Sequence, residues 1–224
     1  MRTVAERPIL FSAEMVRAIL AGWKTQTRRV VSCLDASHAT AWRFHDGLWH
    51  PCADQLSRGI LDPVGPGIRC PYGAPGDRLW VREAWAISRI WDQSRPSEMP
   101  LDDSDRIPTW WRADGVSEES WANRGRWRQS IHMPRWASRI TLEITDVRVQ
   151  RLQDISEEDA LAEGTPCWVC GRTIDGLSEN DCECFHSRRA VGSYQALWDS
   201  INGKRPGCSW ADNPWVWIIH FRMV

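Results

Sequence analysis

The chain has 224 residues, 42% hydrophobic and 25% charged, an ordinary globular balance with enough apolar material for a core. Its 28 basic and 29 acidic side chains leave a formal net charge of −1. That excludes a polycation holding nucleic acid by bulk electrostatics, so any such contact must be a local patch. The longest apolar runs, such as Pro214 to Ile219, fall far short of the roughly 20 residues of a membrane span, and the N-terminus lacks a signal-type apolar region. A cytoplasmic protein is expected.

In chain order, Ser12 is placed to cap a helix ending at Ala21, with Glu14 in its first turn, Met15, Val16, Ile19 and Leu20 on one face and Gly22 at its end. Residues 23–31 read as a loop entering a strand. From Ser32 to Gly73 four prolines (51, 63, 66 and 71) and several glycines predict irregular excursions and no long helix. A turn at Ala74-Pro75-Gly76-Asp77 leads into an alternating strand from Arg78 to Trp85. Residues 91–130, polar and proline-bearing, predict a surface insertion with a short strand at Thr109 to Ala113. Arg139 to Arg151 alternates along its length and reads as the clearest strand. Ser156 then caps a helix closed by Gly164, with Asp159 in the capping-box position. A second helix is expected over about 187–201, with Tyr194, Leu197, Trp198 and Ile201 at helical spacing, and Pro214 to Phe221 reads as the last strand. Strands outnumber helices and no βαβ repetition is present. The fold class is therefore α+β, a small barrel or curved mixed sheet with two or three flanking helices.

Two compositional biases bear on function. Sixteen Trp stand against four Phe and two Tyr, which supplies either a Trp-rich core or stacking faces with an N–H donor. Of the 28 basic residues only Lys24 and Lys204 are lysines. Arginine stays protonated, whereas an amine can be brought towards neutral pH by its surroundings, so Lys24 is a chemical suspect on residue type alone.

Three pieces together resemble the ASCH family of the PUA-like superfamily of small β-barrels. They are the helix ending in Gly22-Trp23-Lys24-Thr25-Gln26-Thr27-Arg28, the Gly76-Asp77 turn before a strand, and the Leu152 to Gly164 helix after a long strand. Pro8-Ile9-Leu10-Phe11-Ser12, residues 132–139 and Asn213-Pro214-Trp215-Val216-Trp217 look like the larger ASCH-containing proteins of bacteriophages and prophages. The resemblance covers most of the chain outside 35–70, 91–130 and 165–190. It implies one ASCH/PUA-like domain over 1–224, a small barrel, and association with RNA or modified nucleosides. One small bacterial member is an amidohydrolase of 4-acetylcytidine, and its Lys, Thr and Glu positions fall on Lys24, Thr27 and Glu163.

That implied catalytic set suits the residue types: a threonine hydroxyl needs a base to become a nucleophile, and an amine serves once its pKa is lowered. Glu163 would orient Lys24 or carry a proton to the leaving amine, although a carboxylate beside Lys24 also favours its charged form, so desolvation must prevail. Two other readings stay open: an ion pair between Lys24 and Glu163 with Thr27 merely packed, and ligand binding without turnover. Arg28, Trp80, Glu83, Arg135 and Trp136 are candidate substrate-binding residues, the last four gathered at one mouth by the barrel resemblance, with Arg28, Arg29 and Arg135 as phosphate contacts. For each, packing is an equally open role.

Cys167-Trp168-Val169-Cys170, followed after 11 residues by Cys182-Glu183-Cys184, has the spacing of a tetrahedral zinc site, with His186 a possible replacement ligand. A structural zinc on Cys167, Cys170, Cys182 and Cys184 is expected in a 165–190 insertion that has few apolar residues to order itself. His50, Cys52 and Cys70 form a weaker second candidate. No HxxxH-type metal motif, P-loop or GxSxG is present. The expected function is binding of a modified nucleoside or single-stranded nucleic acid, with hydrolysis of the amide of an acylated cytosine. A non-catalytic reader of modified bases and a metal-independent ribonuclease are the alternatives.

Overall fold

The computed structural model describes residues 3–32, 39–54, 61–96, 107–115, 123–165 and 190–224. The main sheet has five strands in the order β1-β6-β9-β10-β2: β1 is Glu6–Leu10, β2 Gln26–Val30, β6 Arg78–Arg82, β9 Thr141–Arg151 and β10 Trp215–Met223. β1 runs parallel to β6, and the other pairings are antiparallel. β9 and β10 form the spine, paired from Trp215 opposite Arg151 to Met223 opposite Leu142, with a register shift between His220 and Phe221. The architecture is α+β, and none of the described sheets closes into a barrel. β1 and β2 lie at opposite edges of the main sheet, yet Arg29 on β2 donates from Nη2 to the Leu10 carbonyl at 2.9 Å. A side chain spans them where a ladder would have closed the ring.

β10 reads as a continuous apolar run because both of its faces are covered. Trp217 and Ile219 join a cluster with Ile9, Val16, Ile19, Leu79, Leu142 and Ile144. Val216 and Ile218 join the opposite cluster with Leu152, Ile155, Ala160, Tyr194 and Trp198. The first cluster is built on α1 (Ala13–Leu20), capped by Ser12, whose Oγ accepts from the Met15 amide at 3.3 Å. The second is built on α2 (Glu157–Ala162) and α3 (Ala190–Asn202). Leu20, expected on the buried face of α1, is exposed.

The stretch expected to be irregular holds a second sheet, β3 (Ala41–His45), β4 (Leu48–Asp54) and β5 (Leu61–Pro63). Its Trp42 and Trp49 meet Trp217 with ring centroids 6.5 and 6.2 Å apart. Here tryptophan is core material. The strand expected from Arg78 to Trp85 breaks after Arg82: the Glu83 amide donates to Met133 Sδ at 3.3 Å, and the chain re-pairs as β7 (Trp85–Ile87) with β8 (Thr109–Trp111). Trp85, Ile87, Met133 and Ala137 form a small third cluster under this two-stranded sheet. No described helix is long and apolar enough to cross a membrane.

Candidate functional site

The turn after α1 fixes the site. Gly22 takes φ +82°, the left-handed conformation that ends the helix, and the Trp23 and Lys24 amides both return to the Ala18 carbonyl at 2.9 and 3.1 Å. α2 ends against this turn, its Ala162 carbonyl accepting from the Thr25 amide at 2.9 Å. The approach is possible because residue 164 is glycine, with φ +70°: a Cβ there would lie 2.8 Å from the Cβ atoms of both Ala18 and Lys24. Glu163 is thereby carried beside Lys24.

Lys24 is 2% exposed and Glu163 3%. The Lys24 ammonium donates to Glu163 Oε2 at 2.9 Å, the Glu163 carbonyl at 2.7 Å and the Gln26 carbonyl at 2.9 Å, so each of its three protons has an acceptor. Arg28 occupies the other carboxylate oxygen, from Nη1 to Oε1 at 3.1 Å, and reaches Asp159 Oδ2 from Nη2 at 2.8 Å. Asp159 keeps its amide on the Ser156 cap while its carboxylate turns to Arg28, so only half of the expected capping box forms. Burial draws the Lys24 amine below its ordinary value, Glu163 pulls it back up, and the charges of Arg29 and Arg28 lower it further. Desolvation prevails, as catalysis by an amine requires. Releasing a proton would nevertheless leave one buried acceptor without a donor, at a cost of about 1 to 3 kcal/mol.

In front of this buried cluster lies a cavity of about 530 Å³ whose walls include Thr27, Arg28, Arg29, Glu163 and Tyr194, with Phe11 among the apolar lining. The Thr27 hydroxyl accepts from Arg29 Nη1 at 2.9 Å, and its own proton has no acceptor among the described residues. Arg29 also donates to the Arg28 carbonyl at 3.1 Å and lies 5.4 Å from the Phe11 ring centre. Burial holds the Tyr194 phenol well above its ordinary value, with Glu163 adding to the rise, so a neutral hydroxyl stands at the wall. The set is chemically complete for binding a polar planar ligand: a hydroxyl, a carboxylate, a phenol and a fixed guanidinium around an aromatic ring.

Lys24, Thr27, Arg28 and Glu163 thus converge, with Lys24 behind Glu163 and outside the cavity wall. Arg28 is committed to two carboxylates, which removes it as a phosphate contact. Trp80, Glu83, Arg135 and Trp136, expected at the same mouth, do not line the cavity. Trp80 is buried under Arg82 and Arg135, 4.5 and 5.9 Å from its ring centre. Arg135 pairs with Glu6 at 3.1 Å. Glu83 is buried against Arg139 at 3.0 Å, and Trp136 packs edge-on to Trp85 at 5.8 Å. The strand break at Glu83 accounts for Glu83 and Trp136, which pack against Arg139 and Trp85.

Cys167, Cys170, Cys182 and Cys184 lie outside the described residues. No group of three or more His, Cys, Asp or Glu residues suited to a metal occurs among the described ones, and Cys52 and Cys70 are free thiols there. Tyr194 is a cavity residue that the site expected from sequence did not include: it sits at core spacing on α3 and serves core and cavity together, whereas Arg29, expected as a phosphate contact, lines the cavity. Comparison with family models, with curated proteins and with solved structures yields no match.

Proposed function

We propose that the cavity between β2, α1 and α3 binds a modified nucleoside, free or carried on a single strand, and hydrolyses the amide of an acylated cytosine such as 4-acetylcytidine. The observation that carries this reading is the convergence of Thr27, Arg29 and Glu163 on one wall, with the Thr27 proton free to be given up. The ASCH resemblance, with the main sheet as an opened form of the small barrel, supplies the reaction class.

Thr27 Oγ attacks the acyl carbonyl carbon, and the Glu163 carboxylate, the basic group on the cavity wall, accepts its proton. Arg29, already donating to Thr27 Oγ1, stabilises negative charge as it develops. The C–N bond then breaks, the proton passes from Glu163 to the departing exocyclic amine, and water releases the acyl group from Thr27. Lys24 and Arg28 hold the two carboxylate oxygens and aim them, which makes Lys24 a positioning residue rather than the base. A second reading, binding without turnover, is favoured by the full hydrogen-bond complement of Lys24 and the double pairing of Glu163, both of which weaken proton transfer. Incubating the protein with a panel of acylated and alkylated nucleosides and weighing the products separates the two. Deacylated cytidine is expected; saturable binding without product would establish the reader.

The cysteine spacing supports one structural zinc on Cys167, Cys170, Cys182 and Cys184, with no part in the reaction. The protein would work in the cytoplasm.

A further inference from the structure

A second cavity, of about 740 Å³, lies beside the first and is lined by Arg82, Arg126, Trp127, Arg128, His132 and Trp136, with no acidic residue among its described walls. In a chain of net charge −1 this is a local concentration of positive charge. None of the three guanidinium groups pairs with a carboxylate among the described residues. Arg82 donates to the Ile131 carbonyl at 3.3 Å and stacks on Trp80, while Arg128 donates to the Trp91 carbonyl at 2.9 Å. Asp92, the nearby acid, accepts from the Arg126 backbone amide at 3.1 and 3.2 Å and makes no ion pair with the exposed Arg126 side chain. Burial and the Arg126 charge together draw the Arg128 guanidinium down, with Asp92 opposing them, so an arriving anion would relieve a standing repulsion. The Trp136 indole N–H and the Nε atoms of Arg82 and Arg128 are buried without a described partner. Trp127 is half-buried, with Arg124 over one face 4.5 Å from its ring centre.

The two cavities share a wall. Ser130 lines the Thr27 cavity, whereas Gln129 and Ile131 on either side of it line the arginine cavity. Phe11 of the first cavity donates its amide to the carbonyl of Arg82, a residue of the second, at 3.1 Å. We propose that the arginine cavity holds the phosphodiester backbone and a stacked neighbouring base of a single strand whose modified nucleotide enters the Thr27 cavity. The preferred substrate is then a nucleotide within a single-stranded nucleic acid, with the free nucleoside the minimal substrate of the same Thr27 cavity. This rests on the nucleoside reading of the first cavity for its register, and not for its affinity.

The test uses a fluorescent hexamer with an unmodified cytidine, made once as RNA and once as DNA, so that its readout is independent of hydrolysis. Affinity is measured by anisotropy over a range of salt. Contacts from Arg126 and Arg128 predict a log–log slope near −1.4, and Arg126→Gln should reduce its magnitude by about 0.7. Trp127→Ala should weaken binding roughly tenfold with the slope unchanged. Arg222→Gln, which removes an exposed partner of Glu143 on the main sheet, should change neither. A response in either hexamer supports the groove even if no acylated nucleoside is ever turned over, an outcome that would sink the hydrolase reading alone. Hexamer binding that ignores both Arg126→Gln and Trp127→Ala overturns the groove.

Discussion

Glu163 is the residue on which the site depends, because two buried cations share its carboxylate. Breaking a buried pair by removing one partner costs about 3 to 5 kcal/mol, since the remaining charge has no solvent to turn to. Glu163→Gln leaves the shape but strips both Lys24 and Arg28 of that charge, and urea unfolding should show a loss of this size. A loss under about 1 kcal/mol would mean that the pair is far more hydrated than its burial indicates. Rate against pH separates the roles of Lys24 and Glu163. If Glu163 takes the Thr27 proton, the rate gains nothing from loss of the Lys24 proton. The lowered Lys24 amine becomes a base only once it has lost its proton, so a rate that rises with that loss would return the base role to Lys24. At this scale much was legible: Lys24 stood out by its rarity among arginines, and Thr27 and Glu163 by resemblance. The saturation of Lys24 was not, because its acceptors include the Glu163 carbonyl, 139 positions away. Lys24→Arg keeps the charge but not the fit. A bulkier head in a site with no exposed surface should cost about 1 to 3 kcal/mol.

Among the elements, the join between α2 and the α1–β2 turn decides whether the catalytic groups meet at all. Gly164→Ala places a methyl 2.8 Å from two Cβ atoms in a left-handed conformation. Separation of α2 from the turn should follow, with a stability loss of about 1 to 3 kcal/mol and lower activity even though every site residue is retained. Thermal unfolding and turnover of this variant check the point together; wild-type values in both would show that the contact is loose. The α1 cap, the Ser156 cap and the β9 and β10 strands were readable because their signals are local. β1 was not, since Pro8 argues against a strand unless the strand is an edge, and β1 is one. Pro51 concealed β4 as well, although β4 is the central strand of its sheet. The break at Glu83 lay beyond reach for another reason: alternation persists through Trp85, and only the tertiary pairing with Arg139 and Met133 redirects the chain.

Over the whole molecule, the curved five-stranded sheet brings its β1 and β2 edges close enough for Arg29 to span them, and the cavity opens at that junction. Of the small barrel or curved mixed sheet expected, the described strands close no barrel, and sequence patterning specifies which residues face the core and not whether the last edge pairs with the first. The local-patch argument from net charge fares better: the arginine cavity is such a patch, although its residues fall largely in or beside a segment read as a surface insertion with one short strand and no chemistry. The 165–190 insertion carries its own expectation. Protein purified without chelator should hold about one equivalent of zinc, falling on Cys170→Ser, and a metal-free preparation would refute the site.

The measurement that bears most directly on the account is release of cytidine from 4-acetylcytidine by the wild-type protein and by Thr27→Val. The substitution removes the hydroxyl from a side chain that is 1% exposed while conserving its volume. The account predicts saturable release by the wild type and none above background by the variant, with unfolding temperatures within a few degrees of each other. Equal release by the two proteins would contradict it, and so would a wild type that neither binds nor turns over the nucleoside.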